Sequence, residues 1–89
     1  MANVVCAQRL GDVGPLEPAT YRGETVRDVL DAAAVDYPRL KNYVLDDQGR
    51  VRKHVAIFVG GSMQPRETVL DAVLGDADDL YIMQALSGG

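Results

Sequence analysis

The chain contains one cysteine, Cys6, and one histidine, His54. A lone cysteine excludes an intramolecular disulfide. Cys6 sits in a β-like run, Val4-Val5-Cys6-Ala7. No adjoining basic residue lowers its thiol pKa, so it reads as a small buried apolar residue. His54 is the only possible centre for a nucleophile–histidine–acid constellation. It has no serine or cysteine at a familiar spacing and is read as non-catalytic. Long apolar runs are absent. None approaches the ~18 residues of a membrane span, and no charged-then-apolar signal segment opens the chain, so the expected compartment is a reducing cytoplasm. Positive charge is scarce as well: 9 Lys and Arg stand against 13 Asp and Glu, for a net charge of −4. That balance argues against a nucleic-acid-binding face. The loose basic group Arg50-Val-Arg-Lys-His54 is read as one solvated hairpin strand. The chain has no G-x-x-x-x-G-K-[ST] loop, so it has no phosphate cradle of that type. Asp76, Asp78 and Asp79 lack the alternation, glycine and distal glutamate of a calcium loop. They read as a solvated turn, and no metal site is expected.

Within 89 residues there is room for one domain and a small core, with about 60–65% of the unfolded surface buried. Residues 3–10 read as a first strand, led by β-branched residues and broken by Gly11-Asp12-Val13-Gly14-Pro15. Residues 16–22 read as a short antiparallel return, with Pro18 marking an edge or a bulge. The clearest helix signal covers 25–37. Thr25 is the N-cap and Asp28 the capping-box acid. Val26, Val29, Leu30, Ala33, Ala34 and Tyr37 form its apolar stripe, and Pro38 stops it. A hairpin is expected next. Tyr43-Val-Leu45 leads through the turn Asp46-Asp-Gln-Gly49 to a return strand that starts near Arg50 and runs to Val59. Gly60-Gly61 reads as a turn. Arg66–Leu74 reads as one or two helical turns capped by Thr68, and 80–86 as the last strand. The first and last strands carry the apolar content of sheet centres, and one main helix must cover a face. The expected class is α+β: a mixed sheet gripping one helix, the β-grasp or ubiquitin-like architecture. The domain should occupy 1–86, with 87–89 as a flexible tail. A half-covered sheet shows alternate side chains on its open side. Met83, Phe58 and Ile57 are therefore candidates for partner docking, with core packing as the alternative; Phe58 and Ile57 read as core, and for Met83 both readings stay open.

The ending carries the functional signal. The last strand runs into Ser87-Gly88-Gly89. With nine glycines in 89 residues, a terminal pair arises by chance roughly once in a hundred. Glycine lacks a Cβ, so its backbone enters narrow places. A terminal carboxylate on such a tail suits threading into another protein's active site, with Leu86 and Ser87 as its stalk.

Particular stretches then resemble a family. They are Gly23-Glu-Thr-Val-Arg-Asp-Val-Leu30, Tyr37-Pro38, Asp47-Gln-Gly-Arg-Val-Arg52, His54-Val-Ala-Ile-Phe-Val59, and Gly75-Asp-Ala-Asp-Asp-Leu-Tyr-Ile82 leading to Ala85-Leu-Ser-Gly-Gly89. The ordered set resembles the ThiS/MoaD-like sulfur carriers, and among them the subgroup that includes the cysteine-synthesis sulfur carrier. Ser87 departs from the alanine common there, but both are small. The resemblance implies a protein substrate rather than an enzyme. A ubiquitin-activating-type partner would use ATP to adenylate the Gly89 carboxylate, and a sulfur donor would displace AMP to leave a thiocarboxylate. A sulfur-accepting biosynthetic enzyme would be the second partner, and no cofactor would be bound by the chain itself. A ubiquitin-like modifier joined to lysine through Gly89, or a plain β-grasp interaction module, are the alternatives.

Overall fold

Alternation along the first segment builds the sheet. In β1 (Ala2–Cys6), Ala2, Val4 and Cys6 are buried while Asn3 and Val5 turn to the other face. The computed structural model describes residues 2–75 and 78–84. Its other strands are β2 (Ala19–Tyr21), β3 (Val55–Val59), β4 (Ser62–Met63) and β5 (Asp79–Gln84). They form one five-stranded sheet in the order β2-β1-β5-β3-β4. β1 and β5 run parallel beside one another, and the other pairings are antiparallel. The first and last strands are thus neighbours in the sheet interior, as their apolar content required.

One face of the sheet carries the core. Val4, Ile57, Leu80 and Ile82 meet Val26, Val29, Leu30 and Ala33 of the helix α1 (Val26–Asp36). The capping box forms as expected. The Asp28 N–H donates to Thr25 Oγ1 at 3.2 Å, and Asp28 Oδ2 accepts from the Thr25 N–H at 3.4 Å. Just before the cap, Gly23 presses against the helix. A Cβ there would lie 2.8 Å from the Val29 nitrogen, so only glycine fits without displacing backbone. This mixed sheet with a helix across one face is the ubiquitin-like β-grasp.

Several expected elements take a different form. The strand expected at 43–45 is the end of a second helix, α2 (Pro38–Val44). Pro38 ends α1 as expected, but it also occupies the first turn of α2, where its missing N–H costs nothing. Leu40 and Val44, four apart, are both fully buried, and Tyr43 packs beside them. That spacing is helical. The turn at 46–49 is real: Asp46 Oδ1 accepts from the Gln48 and Arg50 N–H groups at 2.9 and 3.0 Å, and Gly49 takes φ 78°. These bonds stabilise the ionised form and lower the Asp46 pKa. Only a single bridge, Leu45 to Val51, flanks the turn, and the strand proper begins at Val55 rather than Arg50.

The first strand ends at Cys6, short of Leu10. The chain turns there, with the Cys6 N–H donating to the Pro15 carbonyl at 2.7 Å, and a 3₁₀ turn at Gln8–Leu10 buries Leu10. The second strand is only Ala19–Tyr21, at the sheet edge just after Pro18. Gly60 and Gly61, at φ 58° and 85°, form a tight hairpin turn into β4, a strand the sequence reading lacked. Between 66 and 74 there is one 3₁₀ turn, Val69–Asp71, which Thr68 does not cap through its side chain. The last strand starts at Asp79. Its expected final residues 85 and 86, and the tail 87–89, lie outside the described residues.

Candidate functional site

The sheet face turned away from α1 is built in rows, because residues paired across strands point to the same side. One row is polar. Thr20, Asn3 and Asp79 are linked by a 2.6 Å bond from Thr20 Oγ1 to Asn3 Oδ1 and a 3.1 Å bond from Asn3 Nδ2 to Asp79 Oδ1. Two residues further along β5, the row is apolar and crosses four strands: Val5, Tyr81, Phe58, Met63. Tyr81 and Phe58 meet edge to face, with ring centroids 6.3 Å apart. Tyr81 is 36% and Met63 66% exposed, whereas Val5 and Phe58 are half-buried. Another two residues along, half-buried Met83 lies opposite Ala56. The face therefore grades from a fixed polar end to an apolar end, and the apolar end is the one where β5 finishes at Gln84.

Met83 and Phe58 lie on this one face; Phe58 is half-buried there rather than in the core, because it alternates with Ile57, which does lie in the core. Tyr81 and Met63 complete the patch. The alternation Asp79-Tyr81-Met83 contains the signal for Tyr81, whereas Met63 needed β4 to be recognised. Leu86, Ser87, Gly88 and Gly89 lie outside the described residues.

The other titratable candidates are placed individually. Cys6 is 3% exposed, and burial pushes its thiol up to about 11. Such a thiol is protonated and poorly nucleophilic at neutral pH. His54 stands edge to face with Tyr43, with ring centroids 5.7 Å apart. Asp78 closes its turn by accepting from the Gly75 N–H at 2.7 Å. Among the described residues, no group of three His, Cys, Asp or Glu side chains is placed to hold a metal. Nor is any helix there long and apolar enough to cross a membrane.

Fold and face together define a ubiquitin-like β-grasp protein with an apolar patch beside the end of its last strand. The ThiS family matches residues 16–89, most of the chain, and the protein belongs to that family. No curated protein matches its sequence. Among solved structures, a chain of the Amycolatopsis orientalis BexX/CysO complex is similar at TM-score 0.84 and 20% identity, with all of both chains covered. Mycobacterium tuberculosis CysO is similar at TM-score 0.82 and 18% identity, covering 97% of this chain and 100% of that one. Small archaeal modifier protein 1 from Methanosarcina acetivorans gives TM-score 0.79 at 24% identity, covering 99% and 95%. These likenesses share the fold.

Proposed function

We propose that the protein is a sulfur carrier whose Gly89 carboxylate is the reacting group. The observation that carries this reading is the ThiS family match, which extends through the diglycine to residue 89. In the first step a carboxylate oxygen of Gly89 attacks the α-phosphorus of ATP, held by a partner enzyme, and pyrophosphate leaves. In the second, hydrosulfide or its equivalent attacks the acyl carbon and AMP leaves, giving the thiocarboxylate. Activation is necessary because a free carboxylate is a poor electrophile. The thiocarboxylate then passes its sulfur to a biosynthetic acceptor. The chain supplies the tail and a docking face, and the catalytic groups belong to the partner.

The docking face is the apolar row Tyr81, Phe58 and Met63, with Met83 nearest the tail. Its geometry supports that role. The patch lies on β5, the strand that precedes the tail in sequence. A chain of the BexX/CysO complex has the same fold, so this architecture can be one component of a two-protein assembly.

ATP–pyrophosphate exchange with the activating enzyme of the native host tests the proposal. Deleting Gly89 draws the carboxylate back by up to ~3.5 Å, comparable with the whole approach distance of reacting atoms. Exchange should be lost while the thermal melt is unchanged. Full exchange by the deletion variant would refute the reading.

A further inference from the structure

A second surface lies beside the same end of the sheet. A cleft of about 640 Å³ opens between the 46–54 loop, the first turn of α1 and the 66–71 segment. Five of the chain's nine lysines and arginines line it: Arg27, Arg50, Arg52, Lys53 and Arg66. Its three carboxylates are each engaged by an arginine. Arg27 pairs with Asp71 at 3.2 Å, Arg66 with Glu67 at 3.7 Å, and Arg50 with Asp46 at 4.0 Å. Arg52 and Lys53 have no carboxylate within pairing distance among the described residues. Arg52 is braced instead, its Nε donating to the Asn42 carbonyl at 3.2 Å, which leaves its terminal nitrogens for another acceptor. In a chain of net charge −4, this concentrates surplus positive charge in one concavity.

The position of the cleft gives the charge a use. Gln84 pairs with Val55, so β5 ends against the residue that follows Arg52-Lys53-His54. The five residues beyond Gln84 span at most about 18 Å when extended. The cleft therefore adjoins the strand pair from which the chain continues toward Gly89.

We propose that this cleft receives an acidic peptide segment of the protein that acts on the tail, a second contact beyond the apolar face; the proposal rests on the carrier reading. The cations favour an extended acidic chain over a compact phosphate. They sit on separate long side chains spread along the cleft, three of them already sharing their charge with a carboxylate. Such contacts steer encounter and set orientation, and they weaken with salt because the side chains are exposed.

The test has two arms. In the first, ¹⁵N-labelled protein is titrated at low salt with acetylated hexaglutamate. Amide shifts should centre on residues 27, 50–54 and 66–71. Reversing Arg52→Glu and Lys53→Glu together should weaken binding roughly tenfold, as expected for two exposed charges turned from attractive to repulsive. Reversing Arg9→Glu and Arg22→Glu, which lie outside the cleft, makes the same change in net charge and should have little effect. Equal weakening by both pairs, shifts spread over all basic residues, or tighter binding of inorganic tripolyphosphate at the same residues would each overturn the proposal. In the second arm, the Arg52→Glu/Lys53→Glu variant in pyrophosphate exchange should show a raised KM for the carrier with kcat kept, and an unchanged KM would contradict the role. The peptide arm needs no adenylation, so its outcome separates from that of the Gly89 deletion.

Discussion

Gly14 and Cys6 pack so closely that each limits what the other can be. A Cβ on Gly14 would lie 2.6 Å from Cys6 Sγ and 3.3 Å from Leu40 Cδ1. Gly14→Ala should therefore overpack the site at a cost of about 1–3 kcal/mol, partly offset by ~0.4–1 kcal/mol from a stiffer unfolded chain. Cys6→Ala alone removes the sulfur and should cost about 1–2 kcal/mol. In the double variant the new methyl enters the space that the sulfur leaves. The combined loss should fall short of the sum by about 1 kcal/mol, the coupling expected of residues in contact. Urea unfolding with a shared m-value reads all four corners of the cycle. Additivity within about 0.3 kcal/mol would refute the packing argument. The pH dependence gives a second reading. Burial raises the Cys6 thiol from 9.0 to about 11, so between those values the folded state holds a proton that the unfolded chain has lost. Its contribution is complete below pH 9 and disappears as pH rises toward 11. The wild type should lose up to roughly 3 kcal/mol relative to Cys6→Ala across that window. Because the same burial keeps the thiol from acting as a nucleophile, folded Cys6→Ala protein should still load sulfur.

Thr25→Ala removes the acceptor for the Asp28 N–H at the start of α1. It should cost about 1 kcal/mol, read as a lower melting temperature with activation of the tail unaffected. Tyr81→Asp places a charge in the apolar row without touching the core. It should raise the KM of the carrier in pyrophosphate exchange at least several-fold while the melt stays near wild type; an unchanged KM would remove the sheet face from the docking surface.

The fold class was legible because its two strongest signals are local. The Val26–Ala33 stripe with its Thr25–Asp28 cap defined the main helix, and the apolar first and last strands defined the sheet interior. The region after Pro38 was misread for a physical reason. Tyr43-Val44-Leu45 is as β-prone as it is helical, and only the four-residue spacing of Leu40 and Val44 reveals the buried helical face. β4 was hidden because a two-residue edge strand has no pattern of its own, and the paired positive φ of Gly60 and Gly61 is its only trace. Phe58 read as core because its run, Val55 to Val59, is all apolar, whereas Met83 was identifiable from its place on the last strand. The contribution of Met63 was not, since it depends on that hairpin. The basic cluster at 50–54 was visible as composition. Its meaning came from tertiary structure, which sets it beside Arg27, Arg66 and the end of β5.

The central claim concerns one carboxylate, and intact mass spectrometry of the protein isolated from its native host tests it directly. A fraction of molecules should end at Gly89 with one oxygen replaced by sulfur, and that fraction should be lost in cells lacking the activating enzyme. Gly89 found instead in isopeptide linkage to lysine side chains of other proteins, with no thiocarboxylate form, would contradict it.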